Sequence, residues 1–138
     1  MAEEETRALI VRYLEAFNAS DSEAMLACLD EDVAHDTARG ERQIGKEKFR
    51  WAHGERARHY SESLEDIAVM TAPGGIRAAA EFTVRGRYLA TEEGLPVANG
   101  QSYAVPGGMF FEVDDGLITR VTTYYDLNDF VAQVSKAE

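Results

Sequence analysis

The sequence predicts a protein of the α+β class, in which helices come first and a curved antiparallel sheet follows. Two observations carry this prediction. Before about residue 60, apolar residues recur every three or four positions, which is typical of amphipathic helices. Beyond that point, apolar and polar residues alternate along segments joined by short turns, which is typical of antiparallel strands. The 138 residues fit one domain, residues 1–138, with room for a hydrophobic core.

Three helices are predicted in the first part of the chain. The first covers residues 3–18, and its apolar residues form a single stripe at helical spacing: Leu9, Ile10, Tyr13, Leu14 and Phe17. A shorter second helix contributes Leu29 to its apolar face. A third helix covers about residues 45–60. Between the second and third helices we expect a short strand from Val33 to Thr37 and then a polar loop over residues 37–43.

Four long strands and a final helix complete the prediction. The strands are expected around residues 64–70, 76–90, 101–113 and 117–125. Asp126 can cap a short C-terminal helix. Gly107 and Gly108 follow a proline inside the third long strand, which indicates a bulge or a sharp bend. A sheet bent at that point, with helices on its concave side, would enclose a pocket, and such a pocket is the default binding site.

Composition narrows the classes of function. The chain carries 14 Lys and Arg against 25 Asp and Glu, which gives a formal net charge of -11. Nucleic acids and anionic membranes attract basic surfaces, so neither is expected as a partner. The N-terminus lacks the features of a secretory signal, and no apolar run approaches the ~20 residues of a bilayer span. We therefore expect a cytoplasmic protein, in which the single cysteine, Cys28, is a packing residue.

Acid–base chemistry is expected in the short strand, where His35 and Asp36 are neighbours inside an apolar run. Asp36 is the candidate general base, and His35 could relay a proton or orient Asp36 or a ligand. Structural alternatives remain open, since Asp36 can cap the following loop and His35 can be a polar residue packed at the sheet edge. His53 and His59 lie six residues apart on one helix and do not share a face, so no metal site and no cofactor are predicted.

The chain also resembles a known superfamily over nearly its full length. Residues 12–21, Arg-Tyr-Leu-Glu-Ala-Phe-Asn-Ala-Ser-Asp, are similar to the first helix of ketosteroid isomerase. Further blocks are similar to ketosteroid-isomerase-related bacterial proteins: His35-Asp36, Gly45-Lys46-Glu47-Lys48-Phe49, Ala80-Glu81-Phe82, Gly94-Leu95-Pro96, Gly100-Gln101-Ser102-Tyr103 and Thr122-Thr123-Tyr124-Tyr125. The chain is thereby identified as a member of the superfamily of nuclear transport factor 2, ketosteroid isomerase and the SnoaL-type polyketide cyclases. The resemblance implies a cone-shaped fold.

The resemblance assigns roles to single residues. In ketosteroid isomerase a carboxylate moves a proton between two carbons, while a tyrosine and a protonated aspartic acid hold the dienolate oxygen. Tyr13 matches that tyrosine. Counting forward from Tyr13 puts the base at Thr37, whereas counting back from Gly45 puts it at Asp36. We favour Asp36, because a threonine does not accept a proton at neutral pH, and a slip of one residue on a strand turns the side chain to the opposite face.

Two departures from the family's catalytic pattern bear on activity. The strand that matches the second oxyanion acid, residues 107–111, carries no carboxyl group. Losing such a donor costs a few kcal/mol of transition-state stabilisation, so efficient ketosteroid isomerisation is not expected. The position of the acid that SnoaL-type cyclases and epoxide hydrolases use on their last strand is Thr123.

Two functions therefore stay open. The chain is either an isomerase or cyclase that acts on an apolar, ring-bearing substrate by carboxylate general-base catalysis, or a non-catalytic module that binds such a molecule. The expected catalytic residues are Asp36, Tyr13 and His35. The expected ligand-binding residues are Phe17, Trp51, Tyr60, Phe82, Tyr88, Met109, Phe111, Thr123 and Tyr125. A homodimer is also expected, through the outer faces of the strands over residues 101–112 and 117–125.

Overall fold

The computed structural model of the chain describes residues 2–136. This part of the chain contains four helices and six strands in the following order: α1 Glu3–Asn18, α2 Ser22–Ala27, β1 Leu29–Asp36, β2 Arg42–Ile44, α3 Lys46–His59, β3 Tyr60–Thr71, β4 Arg77–Tyr88, β5 Gln101–Asp114, β6 Leu117–Tyr125 and α4 Leu127–Lys136. The α+β class and the helices-first order are confirmed. Among the residues that the structure describes, no helix is both long and apolar enough to cross a bilayer.

The strands form one curved, unclosed sheet in the order β2-β1-β6-β5-β4-β3. Neighbouring strands run antiparallel except β1 and β6, which pair in parallel. The sequence pattern predicted antiparallel strands from their short connections, which is correct for β3 to β6. It could not predict the parallel pair, because β1 and β6 are far apart in the sequence and no turn connects them.

Helix α1 packs against the sheet through its predicted stripe. Leu9, Ile10, Tyr13 and Leu14 are buried, because they recur on one face of the helix. The last residue of the helix, Asn18, ties it to β3: its Nδ2 donates to the Leu64 carbonyl at 3.0 Å, and its Oδ1 accepts from the Leu64 amide at 2.8 Å. This pair of bonds fixes the end of the helix that carries Tyr13.

The first strand begins earlier than the pattern predicted. Leu29, expected on the apolar face of the second helix, is the first residue of β1, and Cys28 is the C-cap of α2. Both side chains are buried, which agrees with a packing role for Cys28. The predicted loop over residues 37–43 contains the start of β2, a strand of three residues. Such a short strand gives no periodic signal, because three residues show hardly one alternation.

The expected bulge at Gly107 and Gly108 is absent, since β5 keeps one register along the whole of β4. The register shifts lie between Leu29 and Ala34 on β1, between Glu65 and Ala68 on β3, and between Glu112 and Val113 on β5. Gly107 instead permits close packing. A Cβ there would lie 3.0 Å from the carbonyl oxygen of Tyr124.

Candidate functional site

A cavity of about 390 Å³ lies between the helices and the inner face of the sheet. Helices α1 and α3 form one side, and strands β1, β3, β4, β5 and β6 form the other, together with β2 at the sheet edge. This volume is in the range of small-molecule sites. The cavity is therefore the candidate site for a small molecule.

The cavity has an apolar wall that the alternating strands create. Phe82 and Val84 point inward from β4, because residues of the same parity on a strand share a face. Met109 adds to this wall from β5, and Phe17 closes it from α1. One side of the cavity is therefore apolar.

His35 and Asp36 are neighbours on β1, and their side chains lie on opposite faces of the sheet. His35 lines the cavity, and so does Thr37, two residues further on. Asp36 lies between them and points to the opposite face of the sheet, because successive side chains alternate along a strand. There it contacts Arg42 on β2 and Thr122 on β6. The expectation that Asp36 projects into the pocket is therefore wrong, and Thr37, the other position considered for the base, faces the cavity.

The partners of Asp36 hold it as a carboxylate. Arg42 donates from Nε to Oδ1 at 2.6 Å and from Nη2 to Oδ2 at 2.9 Å, and the Thr122 hydroxyl donates to Oδ2 at 2.8 Å. The hydrogen bonds from Arg42 are the main reason that the pKa of Asp36 falls to about 2. A carboxylate with so low a pKa is a weak base, and this one is also out of reach of the cavity.

His35 is an uncharged imidazole at neutral pH. Burial lowers its pKa to about 4, against the opposing effect of the Asp36 carboxylate. Its ring packs against Phe49 of α3, with 4.8 Å between the ring centroids. Its Nδ1 is buried and has no hydrogen-bond partner within residues 2–136. Burial also lowers the pKa of His53, which lines the same cavity.

Tyr13 reaches the cavity from the buried stripe of α1. The residue is 1% exposed, and its ring makes an edge contact with Phe111 at 5.8 Å between centroids. Burial raises the pKa of the phenol above its ordinary value, so the hydroxyl keeps its proton. The cavity is thus lined by a phenol that can donate a hydrogen bond and by a neutral imidazole.

An ion pair between the buried Glu62 side chain and the partly exposed Arg56 side chain lies at another side of the cavity. Arg56 of α3 donates from Nε and Nη2 to the two carboxylate oxygens of Glu62, at 3.1 and 2.9 Å. The Tyr103 hydroxyl donates to Glu62 Oε2 at 2.5 Å. The guanidinium also lies over the Tyr60 ring, 4.2 Å from its centroid. Both charges are therefore partnered before any ligand enters.

The predicted ligand-binding residues divide into two groups. Those that line the cavity are Phe17, Trp51, Phe82, Met109, Thr123 and Tyr125. Tyr60, Tyr88 and Phe111 do not line it, and the prediction was wrong for them. The rings of Tyr60 and Tyr88 stack on each other in the core, with 5.4 Å between their centroids. The Phe111 ring makes an edge contact with the ring of Tyr13. They share the inward parity of their strands, but the neighbouring side chains cover them.

Most of the polar residues that line the cavity were not predicted from the sequence. The cavity is also lined by Arg39, Glu41, Gln43, Glu55, Arg56, Glu62 and Glu92. Gln43 was placed in the predicted loop over residues 37–43, and no role at the site was predicted for Arg56 or Glu62. The signal that could have found Arg56 and Glu62 is their position at the junction between α3 and β3, where the chain reverses over the cavity. Within residues 2–136, no group of three or more His, Cys, Asp or Glu side chains is arranged to hold a metal ion.

The chain belongs to the SnoaL-like family. A sequence profile described as the SnoaL-like domain matches residues 10–121, which is most of the chain. The resemblance that the sequence motifs indicated is thereby confirmed. A search of curated proteins gave no match.

Solved structures agree with this membership. A candidate polyketide cyclase from Pseudomonas putida KT2440 is 54% identical, covering 94% of this chain and 97% of that one, with a TM-score of 0.91. A candidate polyketide cyclase from Silicibacter sp. TM1040 is 51% identical, covering 97% and 98%, with a TM-score of 0.93. A nuclear transport factor 2-like protein from Burkholderia pseudomallei K96243 is 15% identical over 98% and 99% of the two chains, with a TM-score of 0.75, and shares the fold alone.

Proposed function

We propose that this chain is a small-molecule enzyme of the cyclase or isomerase type, whose substrate is an apolar, ring-bearing carbon acid. The observation that carries the proposal is that the Tyr13 hydroxyl and the His35 imidazole line one cavity of about 390 Å³. Its similarity to two candidate polyketide cyclases, at 54% and 51% identity, supports the same class of reaction.

Each of the two side chains is in the protonation state that the chemistry requires. The neutral imidazole of His35 accepts the proton of an acidic C–H bond, and the electron pair of that bond passes to the carbonyl oxygen. Tyr13, which remains protonated, donates a hydrogen bond to this developing oxyanion. In a cyclisation the enolate carbon then attacks a second carbonyl of the same substrate, and the new alkoxide takes the proton back from His35. Asp36 takes no part in this scheme.

The alternative is a binding module without catalysis. The observation that favours it is the ion pair of Asp36 with Arg42, which keeps the expected carboxylate base out of the cavity. Thr123, at the position of the last-strand acid, supplies no replacement base. In this alternative the same cavity holds the same class of ligand, and Tyr13 and His35 only orient it.

Deuterium exchange into 2-tetralone, an apolar ring with acidic C–H bonds, separates the two functions. We expect the protein to accelerate exchange in D₂O well above the buffer rate, as followed by proton NMR. Tyr13→Phe should reduce the protein-dependent rate by about 10²-fold, the effect of losing one oxyanion donor. His35→Gln should reduce it by at least about 10²-fold, the usual contribution of a general base.

Asp36→Asn is the matched control, because its side chain lies one residue away from His35 on the opposite face. It should leave the exchange rate unchanged within about twofold. Binding of 2-tetralone without accelerated exchange would support the binding module. A rate that falls with Asp36→Asn but not with His35→Gln would overturn the assignment of the base.

We further propose that two copies of the chain associate through the outer face of the sheet. Phe110 and Tyr124 are 46% and 58% exposed there, and their rings contact each other at 5.8 Å between centroids. Exposed aromatic pairs of this kind are typical of interfaces. The face is opposite to the cavity, so an associated copy would leave the cavity open.

A further inference from the structure

A polar trough of about 650 Å³ lies on the outer face of the sheet, across strands β3, β4 and β5. Two arginines and three serines line it: Ser61, Ser63, Arg85, Arg87 and Ser102. Arg85 and Arg87 are exposed, whereas the residues that alternate with them on β4 are buried, so both side chains point away from the cavity. The trough is thus a basic surface in a chain whose formal net charge is -11.

The register of the sheet groups these side chains. Arg87 is directly opposite Ser61 on β3 and Ser102 on β5, and Arg85 is opposite Ser63. Cβ atoms of directly opposite residues are about 5 Å apart, and alternate residues of one strand are about 7 Å apart. Two guanidinium groups and two hydroxyl groups therefore surround one area of the outer face, with the hydroxyl of Ser102 beside it.

Both arginines have donors left for a ligand. Among residues 2–136, Arg87 forms no ion pair. Arg85 donates from Nε to Glu65 Oε1 at 2.8 Å, and its terminal nitrogens carry further N–H donors. Glu62, the acidic residue that lines the trough, is already paired, because Arg56 donates to both of its carboxylate oxygens. The trough therefore presents positive charge to a ligand.

We propose that this trough binds a phosphate dianion, either free or as the terminal phosphate of a small molecule. A planar guanidinium pairs with two phosphate oxygens by parallel hydrogen bonds, and a serine hydroxyl donates to another. A terminal phosphate offers enough oxygens for Arg85, Arg87 and a serine together, whereas a phosphodiester has fewer free oxygens and a single negative charge. This site is independent of the proposed function, because it lies outside the cavity.

The trough is also clear of the face that we propose to join two copies. Arg85 and Ala79 are roughly 20 Å apart along β4, and Ala79 is the residue directly opposite Phe110. A ligand in the trough and an associated copy can therefore be present together.

An NMR titration of nitrogen-15-labelled protein with inorganic phosphate tests the site, at pH 8 and at an ionic strength held constant with sodium chloride. We expect saturable shifts of the amides over residues 61–63, 85–87 and 102–104, with a Kd of a few millimolar or lower. Phenyl phosphate separates the two sources of the ligand. Tighter binding of phenyl phosphate assigns the site to a phosphorylated molecule, and equal or weaker binding assigns it to free phosphate. Dimethyl phosphate, a diester, should bind at least about fivefold more weakly than inorganic phosphate.

Arg85→Met and Arg87→Met should each weaken phosphate binding at least about tenfold, because each removes charge-assisted hydrogen bonds. Arg77→Met is the matched control. Arg77 is exposed on the same face of β4 but pairs with Glu112 away from the trough, so this variant removes the same charge and should keep the affinity within about twofold.

Equal weakening in all three variants would overturn the site, because it would mean that only the overall charge of the chain attracts phosphate. Dimethyl phosphate binding as tightly as inorganic phosphate would do the same, since the dianion would then not be recognised. The proposal also fails if the wild type shows no saturable shifts, or if the shifts lie outside the trough.

Discussion

The neutral state of His35 can be tested through the stability of the protein. Its pKa is about 4 in the folded chain, because the ring is buried, against an ordinary value of 6.5. Between these values the unfolded chain binds a proton that the folded chain does not. Because the folded pKa is the lower one, the contribution of His35 to stability is fully present above pH 6.5 and is lost as the pH falls toward 4.

The difference between the folded and unfolded pKa values of His35 gives the size of the change in unfolding free energy. Moving the wild type from pH 7.5 to pH 5 should cost about 2 kcal/mol of unfolding free energy through His35 alone. His35→Gln has no group that titrates at this position. Its unfolding free energy should therefore fall by about 2 kcal/mol less than that of the wild type between pH 7.5 and pH 5. The charged groups that act on His35, namely Asp36, His53 and Arg56, are all retained in the variant.

Urea unfolding at the two pH values measures this difference, with the fluorescence of the single tryptophan, Trp51, as the signal. Asp36→Asn is the control. The pKa of Asp36 falls from 3.8 to about 2, so its contribution is present above pH 3.8 and is lost only below it. This control should lose as much stability between pH 7.5 and pH 5 as the wild type. Equal losses in the wild type and in His35→Gln would refute the buried neutral imidazole.

Three further predictions concern the surroundings of the site. Gly86→Ala should destabilise the protein by about 2 kcal/mol in urea unfolding, because the new Cβ would lie 2.6 Å from the Tyr103 hydroxyl oxygen and 2.8 Å from a backbone oxygen; unchanged stability would contradict this packing. Arg56→Met should cost about 3 kcal/mol, since it leaves the Glu62 carboxylate buried without its cation, and adding Glu62→Leu should restore much of the loss, a non-additivity that a double-mutant cycle measures. Phe110→Glu should halve the mass found by light scattering if the outer face joins two copies, and a monomeric wild type would overturn that proposal.

The order of the elements could be predicted from the sequence because it depends on local periodicity. The stripe of α1 and the inward parity of β4 are repeated over several turns or alternations, and each repeat adds to the signal. The periodicity placed Tyr13 on the buried stripe of α1, and the resemblance to ketosteroid isomerase implied its role at the site. A three-residue strand such as β2 has no periodicity to read, so Gln43 was assigned to a loop and its position opposite His35 could not be foreseen.

Only the tertiary structure decided which neighbour in the His35-Asp36 pair faces the cavity. The alternation along a strand guarantees that the two side chains point to opposite faces, but the sequence does not say which face is the inner one. That choice depends on the parallel pairing with β6, which brings Thr122 to Asp36, and on the ion pair with Arg42. Residues distant in the sequence make these contacts. The sequence by itself thus determined the fold and the position of Tyr13, while long-range pairing determined that an imidazole, and not a carboxylate, lines the cavity from β1.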